Sequence, residues 1–119
     1  MNIKSLSAGL SFRGNVTGRR QKYYVFEAKD AFFVFSFSRA KPKSGYFNMV
    51  GSDAVGYVHR LVRGEQGVTA QSLKKRCRRP KLIGSALEAL NVLYVLVAIG
   101  SAKIDHRHKD TQLFFNITD

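Results

Sequence analysis

Acidic residues are scarce in this chain of 119 residues: 8 Asp+Glu stand against 20 Lys+Arg, a formal net charge of +12. A fold does not need that much positive charge, and self-repulsion works against the compact state. The excess points to a polyanionic partner, and nucleic acid is the commonest polyanion for a small domain. Cysteine occurs once, at Cys77, which excludes an intrachain disulfide framework and a Cys-built zinc site. Long apolar runs are missing too. The longest, Val92–Ile99, falls far short of the roughly 20 residues of a spanning helix, so no membrane partner is expected. There is no internal repeat. What is present is a 45% hydrophobic composition, enough to give a chain of this length one core.

Residues Met1–Gln21 are rich in Ser, Gly and Asn, carry Lys4, Arg13, Arg19 and Arg20, and contain no acid. The plainest reading is a surface tail or edge element. A basic arm lying on a phosphate backbone and an organellar transit peptide have the same composition. Residues 22–119 then read as one domain, opening on an aromatic β-meander over 22–51. Its strands are Tyr23–Phe26, Phe32–Phe37 and Tyr46–Val50, rich in β-branched and aromatic residues and separated by polar turns. In the second strand Phe33, Phe35 and Phe37 share one face while Phe32 and Val34 point the other way, so the sheet is expected to be covered on more than one side.

From Ser52 the period changes to that of a helix. Val55, Val58, Leu61 and Val62 fall on one stripe, Ser52 or Asp53 can cap the start, and Gly64 ends it. Thr69 caps a second helix carrying Ala70, Leu73 and Cys77, which Pro80 stops. Ser85 and Glu88 form a capping-box pattern for a third, and Gly100 suits the left-handed residue past its end. The expected helices are 53–63, 70–78 and 86–99. Strands follow at 102–105 and 111–117, joined by the tip His106–Asp110.

Three helices and then a hairpin resemble a winged helix-turn-helix domain. The residues carrying the resemblance are Gly67–Leu73, where Thr69 caps and Leu73 enters the core; Leu87, Leu90, Leu93, Val97 and Gly100 of the third helix; and Ala102–Asp105 with Leu113–Ile117 as the wing. The fold this implies is α+β: a winged-helix core over 52–119 with an added N-terminal antiparallel sheet. It also implies duplex DNA binding, with the third helix in the major groove and the wing on the backbone. This third helix departs from the pattern. The side that should read bases offers Glu88, Val92, Val95, Leu96 and Ile99, where groove readout wants Arg, Lys, Asn or Gln. A helix apolar all round is a buried one. Val92, Val95, Leu96 and Ile99 are therefore expected to form an interface, with the aromatic sheet or with a second copy in a homodimer.

The positive charge is concentrated just before that helix. Lys74, Lys75, Arg76, Arg78, Arg79 and Lys81 give six cations in eight positions, next to the third helix's N-terminus at Ser85. Lys103, Arg107 and Lys109 of the wing, and Arg39, Lys41 and Lys43 of the loop between the second and third strands, extend the expected nucleic-acid-binding set. Contacts of this kind neutralise phosphates and carry little sequence information.

Catalytic and metal patterns are thin. Glu27-Ala28-Lys29 has the spacing of a nuclease Glu-x-Lys, but no acid precedes it to share a metal ion. Asp105, His106, His108 and Asp110 crowd the hairpin tip, which reads as a polar tip rather than a metal site. His59 reads as a surface residue and Cys77 as packed. No Ser-His-Asp set, Walker loop or dinucleotide fingerprint is present. The expectation is a non-enzymatic nucleic-acid-binding protein without a cofactor, DNA before RNA as partner. It would serve as a transcriptional regulator or accessory factor, in the cytoplasm or nucleoid, with organellar import as the minor alternative. Two rivals are a protein–protein interaction module and an RNA- or single-strand-binding protein whose sheet aromatics stack bases. Burial of Tyr23, Tyr24, Phe32, Phe33 and Phe35 would exclude stacking.

Overall fold

In a computed structural model of the chain, residues 10–18, 21–37, 45–107 and 112–118 are described. Four antiparallel strands come first: β1 (Ser11–Thr17), β2 (Lys22–Glu27), β3 (Ala31–Phe37) and β4 (Gly45–Gly51), in the order β1-β2-β3-β4. Helices α1 (Ser52–Val62), α2 (Ala70–Arg76) and α3 (Ala86–Ala98) follow, and the short pair β5 (Ala102–Ile104) and β6 (Phe115–Ile117) closes the described chain.

The second and third helices begin on side-chain caps, whereas the expected caps of α1, Ser52 and Asp53, lie within the helix and its N-cap position is Gly51, with no side-chain cap. Thr69 Oγ1 accepts from Ser72 N while Ser72 Oγ accepts from Thr69 N, a reciprocal cap that holds the seven-residue α2. Ser85 Oγ accepts from Glu88 N at the start of α3. At its end Gly100, with φ at 85°, lets Ser101 N reach back to Leu96 O and Gly100 N to Val97 O, so orphan carbonyls are satisfied.

The sheet sorts its side chains by strict alternation. Val16, Val25, Phe32, Val34 and Val50 are buried on the face that receives α3, which packs on all four strands. Tyr23 stacks on Tyr94 of α3 with ring centroids 4.3 Å apart. On the other side α3 meets α1 and α2, so Asn91 through Leu96 form an unbroken buried run at the centre of the molecule. Phe115 and Ile117 of β6, with Val68 bridged to Phe115, close the far end of the core.

Three expectations are corrected here. The winged-helix core does not describe the molecule: a four-stranded antiparallel sheet precedes the helices and the hairpin, and α3 lies beneath it. Clamped on both sides, α3 exposes only Leu87 and Glu88 near its start, and Leu87, expected on the core face, is 52% exposed. The α+β class stands. Second, of the two covers expected for Val92, Val95, Leu96 and Ile99, the second copy is withdrawn, since the first three are buried and Ile99 is half-buried within one chain whose sheet packs on this helix. Third, among the described residues helices cover the sheet on one side only. Part of Met1–Gln21, read most plainly as a surface tail or edge element, forms β1, an edge strand. It bulges between Phe12 and Gly14, where φ is 149° and a Cβ would stand 3.3 Å from Ala98 O, so a glycine lets this strand approach the end of α3.

Candidate nucleic-acid interface

α2 delivers its cations into a turn that is tied down at several points. Leu73, fully buried, anchors the helix, and Cys77 N donates to Leu73 O as the last turn closes. Arg78 N then donates to the Tyr57 hydroxyl of α1 at 3.1 Å. Leu82 N donates to Arg79 O at 2.8 Å, with Pro80 at the turn position its fixed φ suits. Ile83, fully buried, pins the far end. Arg78, Arg79 and Lys81 are exposed on this framework, and Lys75 is exposed just before it.

Among the described carboxylates Glu27 and Glu65 are taken by other cations, whereas Asp53 and Glu88 line the cleft that Lys81 also lines. Glu27 pairs with Arg13 at 3.2 Å. Glu65 takes Arg76 through two bonds, at 2.5 and 2.8 Å, and the hydrogen-bonded guanidinium holds its carboxyl below the usual range. Asp53 accepts from Ala54 N, and Glu88 accepts from Gly84 N. Among the described residues Lys74, Lys75, Arg78, Arg79 and Lys81 form no ion pair. Adjacent like charges without an ion pair are what an anion's oxygens would relieve.

Not every expected residue joins this patch. Arg76 is held by Glu65. Arg107 is clamped on Asp105, with Nε and Nη2 donating to the two carboxylate oxygens at 2.9 and 2.6 Å, and this pairing holds the Asp105 carboxyl well below its ordinary range. Ser85 caps α3, and Glu88 places its carboxylate at Gly84 N, where the phosphate at that helix end was expected. Lys103 is exposed on β5, away from the turn in the chain. Arg39, Lys41, Lys43 and Lys109 lie outside the described residues, as do His108 and Asp110. Among the described residues no three His, Cys, Asp or Glu side chains gather to hold a metal ion. Cys77 is half-buried, its thiol donating to Arg79 O at 3.5 Å, and His59 Nε2 lies 3.2 Å from Thr118 O.

Two features were not read from the sequence. The first is a cleft of about 300 Å³ between the β4 edge and the basic turn, lined by Asn48, Met49, Asp53, Lys81 and Asn91 among others. Asn91 Nδ2 donates to the Tyr46 hydroxyl and to Leu87 O, both at 2.9 Å, while its Oδ1 is buried with no donor. The second is the open face of the sheet. Phe12, Phe26, Phe35, Phe47 and Phe33 form a chain of rings from β1 to β4, neighbours 5.0 to 5.6 Å apart. Phe12 is 56% exposed, Phe47 55% and Met49 67%. Tyr24, Phe33 and Phe35 are half-buried on this face, whereas Phe32 is buried on the opposite one and Tyr23 packs there against α3. The alternation of aromatics within the strands carried the signal. What it could not tell was which face α3 would take.

No helix among the described residues is long and apolar enough to cross a membrane. Compared with protein-family models, curated proteins and solved structures, the chain matches none of them.

Proposed function

We propose that this protein binds nucleic acid through phosphate contacts made by the basic turn, acting by binding rather than by catalysis. The observation that carries the reading is the set Lys74, Lys75, Arg78, Arg79 and Lys81, without an ion pair among the described residues and held on a framework pinned by Tyr57, Leu73 and Ile83. A merely solvated charge run needs no such anchoring. A turn that meets phosphates gains from it, because ordering costs are met on folding and not on binding. With α3 enclosed, base readout from a helix in the major groove is not part of the proposal, and the affinity rests on the backbone.

The test is a titration of the full chain with labelled duplex DNA, single-stranded DNA and RNA at several salt concentrations. Each phosphate contact contributes a slope of about 0.9 in log K against log salt on duplex, and about 0.7 on single strands. Changing Arg78, Arg79 and Lys81 together to Ala should weaken binding and flatten the slope by up to three contacts' worth. An unchanged slope and affinity would leave the turn a solvated surface and return the interaction-module reading.

A further inference from the structure

The open aromatic face has no role in a pure backbone-binding scheme. We propose that it is a stacking platform for unpaired bases, so that the preferred ligand is single-stranded nucleic acid, its bases on Phe12 and Phe47 and its phosphates against the basic turn; this rests on the nucleic-acid reading above and narrows its substrate.

Several observations select this occupant. The face reaches the turn at Lys81: Met49, on the same side of β4 as Phe47, lines the cleft that Lys81 lines together with Asp53 and Glu88, so a strand passing from the turn onto the rings crosses the β4 edge beside Lys81. Lys22 is exposed on β2 two residues from Tyr24, hence on the same face, and adds a cation beside the aromatics. The ligand must therefore combine negative charge with flat apolar surfaces, and unpaired nucleotides do so at every residue. A duplex hides its base faces within the stack and offers these rings nothing. Sequence preference should be weak, since every base has a π-face and the phenyl rings have no hydrogen-bonding groups.

A second copy of the chain fits poorly. Three inter-strand spacings across and six residues along give this face about 400 Å² with its margins, half of the about 800 Å² per partner of a stable interface. Face-to-face pairing would also oppose two chains of charge +12.

The natural sequence has no Trp, so Phe47→Trp creates a single indole reporter on a residue already more than half exposed. Stacking predicts quenching of that emission by oligo(dT) and by oligo(rU), with a mixed-sequence duplex of equal charge quenching little. Phe12→Ala and Phe47→Ala should each weaken oligo(dT) binding on the order of tenfold while leaving duplex affinity within twofold. An unquenched indole, or equal losses on duplex and single strand, overturns the platform. So does a dimer by sedimentation that Phe47→Ala dissociates. If the Phe variants change nothing while the triple turn variant weakens every ligand, the platform fails and backbone binding stands. If neither set matters, both fall.

Discussion

Asp105 shows how one residue can remove a cation from the functional surface. Sequence places Arg107 at a hairpin tip as a phosphate contact, yet the carboxylate two positions earlier takes its guanidinium and its backbone N–H. The Asp105 side chain is enclosed while Arg107 remains largely exposed, so solvent moderates the pair. The carboxyl is depressed in the fold relative to about 3.9 unfolded. In the window below that value the unfolded chain binds a proton that the native state refuses. The contribution is therefore complete above the unfolded pKa and lost as pH falls through the folded one. Asp105→Asn should lower the urea midpoint at neutral pH, and the gap to the parent should narrow as the pH falls below about 4. A gap constant with pH would show that the side chain acts through packing alone. Asn91 is the opposite case. Its place on the helix gives no warning of the buried Oδ1, nor of its amide's bond to Tyr46 on β4, a strand far away in the chain.

At the scale of elements, α2 has only seven residues, too short to persist alone. It is held by the Thr69–Ser72 cap and by Leu73 in the core, and it sets the direction in which the basic turn leaves. Thr69→Ala should cost about 1 kcal/mol of unfolding free energy by denaturant titration. It should also loosen the turn, seen as faster amide exchange at Leu82 and Ile83, whose N–H groups bond Arg79 O. An effect on stability with no change at those amides would mean that the turn is held from Tyr57 and Ile83 alone. The three helices lie within two residues of their expected bounds because caps and stops act within a single turn of chain. From sequence Ser11–Thr17 reads only as a tail or edge element, because it holds a glycine and its strand formers Phe12, Val16 and Thr17 are scattered. It exists through its register on β2, from Ser11 opposite Glu27 to Thr17 opposite Lys22.

For the whole molecule, charge sets two responses to salt with opposite signs. The proposed binding to nucleic acid should weaken as salt rises, since releasing the same counterions into more concentrated salt gains less. Folding stability should increase over the same range, because screening shortens the reach of self-repulsion from roughly 20 Å to roughly 7 Å between about 0.02 and 0.2 M. Thermal unfolding of the free chain against sodium chloride measures this directly: the midpoint should climb. A flat response would place the free cations too far apart to repel one another. The crowding of Lys74, Lys75, Arg78, Arg79 and Lys81 within one turn and its approach makes the rise the expected result.

By itself the sequence determined the charge excess, the basic segment before the third helix, the three helices and the aromatic strands. Each follows from composition or from hydrogen bonds and periodicity within a few residues, and no distant partner is needed. Only the tertiary structure decided the rest. It chose which face of the sheet α3 would cover, leaving Phe12 and Phe47 in the open and enclosing Val92, Val95 and Leu96. It joined Glu65 to Arg76 across eleven positions, taking one cation out of a run of six. It also set the β4 edge beside Lys81. These outcomes depend on contacts between segments far apart in the chain, where apolar faces of similar character compete for the same cover and the three-dimensional packing selects among them.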